Sequence, residues 1–291
     1  PSTPPMMPPY TTNPFLGHEA EPLEKAENPK KVMVIGGGVA GLSAAFIAKE
    51  RGHEVTLYEA GDVLGGNMRL AAYPPGKGDI TNMIRSYIHR CQKDGVKIVM
   101  NCEVTPEIIK EEKPDSVIIA TGSKTLILPI EGIDNPAIIH GSDLLDGKRA
   151  AGKKVLVVGG GMVGCETAAF LGEQEHDVTV IEFRDTVGAD VIHEHRVYLM
   201  KDFEDYGIKE ITGAKVCKFY EDGVEYETAD GVRHESRGYD SVILSMGFRN
   251  YNPLEEKIKD LVPETHVIGD AIRARRALDA TKEAYEVASR I

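Results

Sequence analysis

The sequence is poor in cysteine. Cys91, Cys102, Cys165 and Cys217 are its only four in 291 residues, and none forms a CxxC pair or a metal-ligand spacing. A disulfide scaffold and a sequence-adjacent redox dithiol are thereby excluded, and the thiols read as a reduced set in a cytoplasmic protein. No long apolar run is uninterrupted. The longest, Val32 to Ala48, carries Gly36, Gly37, Gly38 and Gly41, so it reads as strand, turn and helix and not as a membrane span. No signal-peptide pattern stands at the start. Positive charge is also scarce: the formal net charge is −12, which argues against nucleic acid and anionic membranes as partners. His193-Glu194-His195 lacks further ligands, so no metal is expected. The short run Arg273, Arg275, Arg276 is expected to meet cofactor phosphates or neighbouring acids.

The composition that is present, 42% hydrophobic and 27% charged, is that of a globular chain able to bury a sizeable core. Eight of the sixteen prolines fall in residues 1–29. Proline fixes φ and removes a donor, so this stretch reads as an extended arm or linker. Ordered structure is expected from Lys30 onward. Lys31 to Ile35 is a β-branched run, followed by Gly36-Gly37-Gly38-Val39-Ala40-Gly41, an apolar helix to about Arg51, and a strand Glu54 to Tyr58 ending at Glu59. The pattern recurs 123 residues later: strand Lys154 to Val158, Gly159-Gly160-Gly161-Met162-Val163-Gly164, a helix to about Glu173, and strand Asp177 to Ile181 ending at Glu182. In both copies the acid lies eighteen positions after the third glycine. This is an internal βαβ repeat. Further expected elements are a helix near 79–94, strands Lys97 to Met100, Ser116 to Ala120 and Ser241 to Ser245, a hairpin turning at Asp230-Gly231, and strand Thr265 to Ile268. Gly269-Asp270 is expected to open a last helix to Ile291. Alternating strands and helices indicate an α/β protein with mainly parallel sheets.

Each glycine motif has a physical reading. The first glycine permits the tight turn, the second lets backbone approach a pyrophosphate, and the third lets helix and strand pack closely. The helix N-terminus then offers free N–H groups and a positive dipole end to phosphate. Glu59 and Glu182 can each accept hydrogen bonds from a ribose diol. Two such motifs in one chain point to two dinucleotides.

The order GGGxAG, Glu, Ala-Thr-Gly, a second GGGxxGxE and a late Gly-Asp resembles the two-dinucleotide-binding flavoprotein superfamily. The segment from Gly65-Gly66-Asn67 to Lys77 is similar to that of the 2,4-dienoyl-CoA reductase and enoate reductase family, relatives of trimethylamine dehydrogenase. The resemblance covers about Asn13 to Ile291. It implies two Rossmann-type domains, the second inserted in the first: an FAD domain of residues 30–125 and 248–291, and an NAD(P)H domain of residues 126–247.

By the same resemblance, FAD contacts fall on Gly36, Gly38, Ala40, Gly41 and Glu59, then on Gly66, Asn67, Lys77 and Val104. Ala120, Thr121, Gly122, Gly269 and Asp270 complete that set. Nicotinamide-nucleotide contacts fall on Gly159, Gly161, Met162, Val163, Gly164, Glu182 and Gly247. Glu166 stands where related reductases put a glutamate near the nicotinamide ring; its alternative reading is a first-turn acid that stabilises the helix N-terminus. Glu182 favours NADH, because a carboxylate there repels a 2′-phosphate, whereas the nearby Arg184 leaves NADPH open. In the family this part follows a barrel with FMN and a [4Fe–4S] cluster. Asn13-Pro14 matches its linker, but Tyr10 stands at the cluster-cysteine position, so FMN and the cluster are expected only in a half absent here. The implied function is hydride transfer from NADH to FAD, feeding an iron–sulfur/FMN enoate or enoyl-CoA reductase half. A stand-alone NAD(P)H:acceptor reductase with a protein partner and a non-catalytic nucleotide-binding module remain alternatives.

Overall fold

A computed structural model describes residues 12, 13, 18, 19 and 23–291. Tyr10, Pro14 and most of the proline-rich arm lie outside them. Thr12–Asn13 and His18–Glu19 pair as antiparallel strands of two residues. The chain forms two compact units: Pro1–Ala72, Gly78–Lys124 and Arg249–Ile291 in the first, Tyr73–Lys77 and Thr125–Phe248 in the second.

The first unit is built on a five-stranded parallel sheet in the spatial order Glu264–Val267, Ser116–Ile119, Lys31–Ile35, Glu54–Tyr58, Lys97–Val99. Its inner strands are short β-branched runs buried on both faces, as a parallel sheet covered by helices requires. The Val39–Glu50 helix has no polar face: ten of its twelve residues are buried, so it has neighbours on more than one side. These are Asp79–Lys93, an amphipathic helix burying Ile84, Tyr87 and Cys91, and the terminal Ala277–Ala288.

The second unit repeats the plan. Its parallel sheet runs Lys209–Ile211, Asp177–Ile181, Lys154–Val158, Ser241–Leu244, Ile139–His140. The second glycine helix, Met162–Glu173, is again apolar nearly all round. An antiparallel three-stranded sheet of Lys215–Tyr220, Gly223–Glu227 and Arg233–Ser236 is added, and the chain turns between the last two strands at residues 228–232 with Gly231 at positive φ.

The expected opening of the last helix is corrected. Gly269–Ala271 is a single 3-10 turn, and the helix begins only at Ala277. Asp270 bends the intervening chain by accepting from the Arg275 N–H at 3.0 Å, and the Asp279 carboxylate accepts from the Arg276 N–H at 3.2 Å, which fixes the start six residues later.

His53 sits at the base of the first sheet, almost wholly buried, with Nδ1 accepting from the Lys30 N–H at 3.0 Å. Burial, then the charges of Arg51 and Lys30, hold its imidazole below the usual 6.5. The fold therefore prefers the neutral ring. That stability is fully present above about pH 6.5 and is lost as the pH falls through the folded pKa. We expect the urea midpoint to fall between pH 7.5 and pH 5, and to fall less in His53→Asn, whose Oδ1 can still accept from Lys30. An equal fall in both proteins would place the acid sensitivity elsewhere.

Candidate dinucleotide sites

In each unit the first glycine turn leaves its strand at the C-terminal edge of the sheet, beside the end of the neighbouring strand. In an open α/β sheet that crevice is where ligands bind. Gly36 has φ +109°, and a Cβ placed on it would lie 2.2 Å from the Ala120 carbonyl oxygen. Gly159 has φ +103°, and its Cβ would lie 2.4 Å from the Ser245 carbonyl oxygen. Ser245-Met246-Gly247 thus stands in the second unit where Ala120-Thr121-Gly122 stands in the first. The third glycines close the helix onto the turn: a Cβ at Gly41 or Gly164 would lie 1.9 or 1.8 Å from the carbonyl oxygen of Gly36 or Gly159. Gly38 and Gly161 occupy the N-cap positions, so Val39, Ala40, Met162 and Val163 form the first turns of the two helices.

The acids are anchored over these turns. Glu59 accepts from the Gly37 and Gly61 N–H groups, each at 2.7 Å, one on each oxygen. Glu182 accepts from Gly160 at 2.6 Å and Arg184 at 2.9 Å in the same way. A carboxylate oxygen has a second lone-pair site, so both acids keep capacity for a ribose hydroxyl.

Around the first crevice, Gly66 at positive φ opens a 3-10 helix, and Asn67 Nδ2 donates to the Ser123 carbonyl and hydroxyl oxygens at 3.3 Å each. Thr121 Oγ1 donates to the Tyr251 carbonyl oxygen, and Gly122 accepts from the Tyr251 N–H at 2.9 Å. Asp270 accepts from Ser123 Oγ at 2.9 Å, so Asn67, Ser123 and Asp270 are joined. Gly269 donates to Glu283, which also pairs with Arg275 at 2.5 Å. Arg275 therefore meets a neighbouring acid, one of the two destinations expected for it. Val104 is buried in the core below the sheet. Gly247, at positive φ, accepts from the Leu126 N–H at 2.9 Å.

Glu166 departs from one of its readings. It is the fifth residue of its helix, and the first turn holds no acid, so it does not stabilise the helix N-terminus. It is buried, and it pairs with Lys77, whose segment Tyr73–Lys77 belongs to the same unit. His195 Nε2 lies 3.4 Å from Glu166 Oε1. The ion pair links residues 89 positions apart, beyond the reach of any local pattern.

Asp190 was not singled out by the motifs. Its Oδ1 accepts from the Met162 N–H at 2.9 Å, at the start of the second glycine helix. The signal was present: carrying the 123-residue offset past the two acids aligns Gly65 with Gly188 and Asn67 with Asp190.

All four cysteines are free. Burial pushes the thiols of Cys91 and Cys165 up to about 12, which makes them poor nucleophiles. Among the described residues no helix is long and apolar enough to cross a membrane, and no group of three His, Cys, Asp or Glu side chains is placed to hold a metal ion.

A sequence profile described as pyridine nucleotide-disulphide oxidoreductase matches residues 30–268. The chain is similar to a cinnamate reductase of Clostridium sporogenes, 35% identical over 96% of this chain and 42% of the relative. It is also similar to an NADH oxidase of Thermoanaerobacter brockii, 34% identical over 97% of this chain and 44% of that one. Among solved structures, a 2-naphthoyl-CoA reductase in complex with 2-naphthoyl-CoA superimposes with a TM-score of 0.88 at 32% identity, over 92% of this chain and 41% of the other. The chain thus spans about two-fifths of the length of these relatives.

Proposed function

Because the chain belongs to the pyridine nucleotide-disulphide oxidoreductase family, we propose that its two glycine crevices hold FAD in the first unit and NADH in the second, with the second unit inserted in the first as a nicotinamide-nucleotide domain. The observation that carries this is the matched pair of cradles. In each, a Cβ on the first or third glycine would collide with a backbone carbonyl oxygen, so only glycine lets the turn close, and an anchored carboxylate stands one strand away.

Bound FAD would supply the hydride acceptor for NADH. The chain's own residues do the holding. Gly36, Gly38 and Gly41 bring backbone N–H groups of the first helix to a pyrophosphate, and Glu59 takes the adenosine ribose. Asp270, held by Ser123 Oγ and the Arg275 N–H, is oriented toward ribitol hydroxyls together with Asn67. Gly159, Gly161 and Gly164 do for NADH what the first three do for FAD. Glu182 takes the 2′-hydroxyl of its ribose and disfavours a 2′-phosphate. We assign Glu166, neutralised by Lys77, to the nicotinamide end. The acceptor is an iron–sulfur/FMN half of the kind that enoate and enoyl-CoA reductases carry. The names of the relatives, a cinnamate reductase and a 2-naphthoyl-CoA reductase, support the enoate and enoyl-CoA part of that reading, and the unmatched share of their length leaves room for such a half in them.

Reconstituted with FAD, the protein should show flavin absorbance, bleach faster with NADH than with NADPH in stopped flow, and reduce ferricyanide. It should not reduce an enoate or enoyl-CoA unaided. Enoate reduction without added protein would reveal a substrate site among residues read as cofactor-binding. FAD binding with neither activity would favour a non-catalytic module, and faster bleaching with NADPH would make Arg184, not Glu182, the residue that sets the choice.

A further inference from the structure

The two crevices differ at one position of the repeat. The 123-residue offset holds without insertion or deletion from the first strand to Asn67 and Asp190, and the structure keeps the correspondence. Gly65 donates to the Gly37 carbonyl at 2.8 Å, and Gly188 donates to the Gly160 carbonyl at 2.7 Å. Two residues further on the copies diverge. In the first unit Asn67 turns away to Ser123. The nearest atom to a Cβ placed on Gly38 is then the Gly66 Cα at 4.0 Å, and among the described residues no side chain accepts from the Val39 N–H. In the second unit Asp190 turns inward. Its Oδ1 takes the Met162 N–H at 2.9 Å, and its Oδ2 lies 3.2 Å from where a Cβ on Gly161 would stand.

We propose that Asp190 is an internal stand-in for the dinucleotide pyrophosphate, and that it keeps the second site exchangeable while the first retains its ligand. This rests on the assignment of the second crevice to a nicotinamide dinucleotide. The second glycine of such a turn leaves room for phosphate, and Asp190 fills that room with a carboxylate. The helix N-terminus carries about half a positive charge, which an anion there satisfies. Entry of the dinucleotide must displace Asp190 from the Met162 N–H and leave its charge beside the pyrophosphate. The displacement needs only a side-chain rotation. Asp190 is exposed, while the loop that carries it is pinned by Gly188 and by Arg196, whose guanidinium donates to Thr186 Oγ1 at 2.8 Å and the Val187 carbonyl at 3.1 Å. A nucleotide that is consumed at each turnover must leave at each turnover, whereas a resident cofactor need not, and the amide at position 67 against the acid at 190 matches that division.

The test is titration of NAD+ into the FAD-loaded protein by calorimetry, for wild type, Asp190→Asn and Asp190→Ala. Asparagine recreates the residue of the first site and can still accept from Met162. At low salt both variants should bind NAD+ about two- to fivefold more tightly, the range expected for one charge at a helix N-terminus. The gain should shrink toward parity at about 1 M salt, where screening acts over roughly 3 Å. Melting of the FAD-loaded protein without NAD+ should move the opposite way, because the variants lose the stand-in anion. Unchanged or weaker NAD+ binding in the variants, or a gain insensitive to salt, overturns the proposal. If the wild type and both variants all fail to bind NAD+, the assignment of the second crevice itself is wrong.

Discussion

Gly159→Ala is expected to abolish NADH-driven flavin reduction while FAD stays bound, and Gly36→Ala to abolish FAD retention. Each methyl would meet two penalties at once. The φ values of +103° and +109° are strained for any residue with a Cβ, at about 1–3 kcal/mol. The Cβ would also stand 2.4 or 2.2 Å from a backbone carbonyl oxygen that has no rotamer to escape into, and overpacking of this kind costs about 1–3 kcal/mol more. At roughly 2–4 °C per kcal/mol for units of this size, melting should fall by about 4–24 °C if the turn is forced, or the turn should open and the site be lost. Circular dichroism melting with flavin absorbance separates the outcomes. An alanine variant that keeps its melting temperature and its ligand would show that the turn relaxes freely, and that a tight turn against the neighbouring strand is not what these glycines provide.

Glu59→Ala should weaken FAD binding by about one to two orders of magnitude. The carboxylate makes two charge-assisted bonds to the turn, both at 2.7 Å, and a further bond to a ribose hydroxyl is worth about 1.5–3 kcal/mol, with each 1.4 kcal/mol a factor of ten. Glu59→Gln is the informative companion. Its amide keeps one acceptor for Gly37 and turns a donor against the Gly61 N–H, so it should fall between wild type and alanine. Fluorescence titration of the apoprotein with FAD measures all three. Equal affinity in wild type and alanine would mean that Glu59 only shapes the turn and the ribose lies elsewhere.

What was legible in the sequence was whatever is decided locally. The two strand–glycine–helix–strand–acid units announce themselves because a buried parallel strand needs β-branched runs and a tight turn needs glycine. Lys154–Val158 and Asp177–Ile181 have the expected bounds, and the Asp79–Lys93 helix differs by one residue. The late helix starts further on than its pattern suggests because its start depends on Asp270 reaching the Arg275 N–H and on Asp279 accepting from the Arg276 N–H. These are side-chain choices that periodicity does not record. The family resemblance points to Glu166, yet its pairing with Lys77 leaves no trace in the sequence, since nothing in a linear pattern joins residues so far apart. Asp190 was readable in principle. The residue that distinguishes the two crevices lies eight positions past Glu182, outside the glycine-to-acid spacing that marks the repeat.

The thiols have a practical consequence. Cys91 and Cys165 are buried and hard to ionise, so maleimide chemistry on the folded protein passes them by. The two partly exposed thiols are Cys102 in the first unit and Cys217 in the second. One dye attachment point per unit is thus already encoded. A donor–acceptor pair on the unmutated protein would report the separation of the units in solution, molecule by molecule, as nucleotide is added and withdrawn.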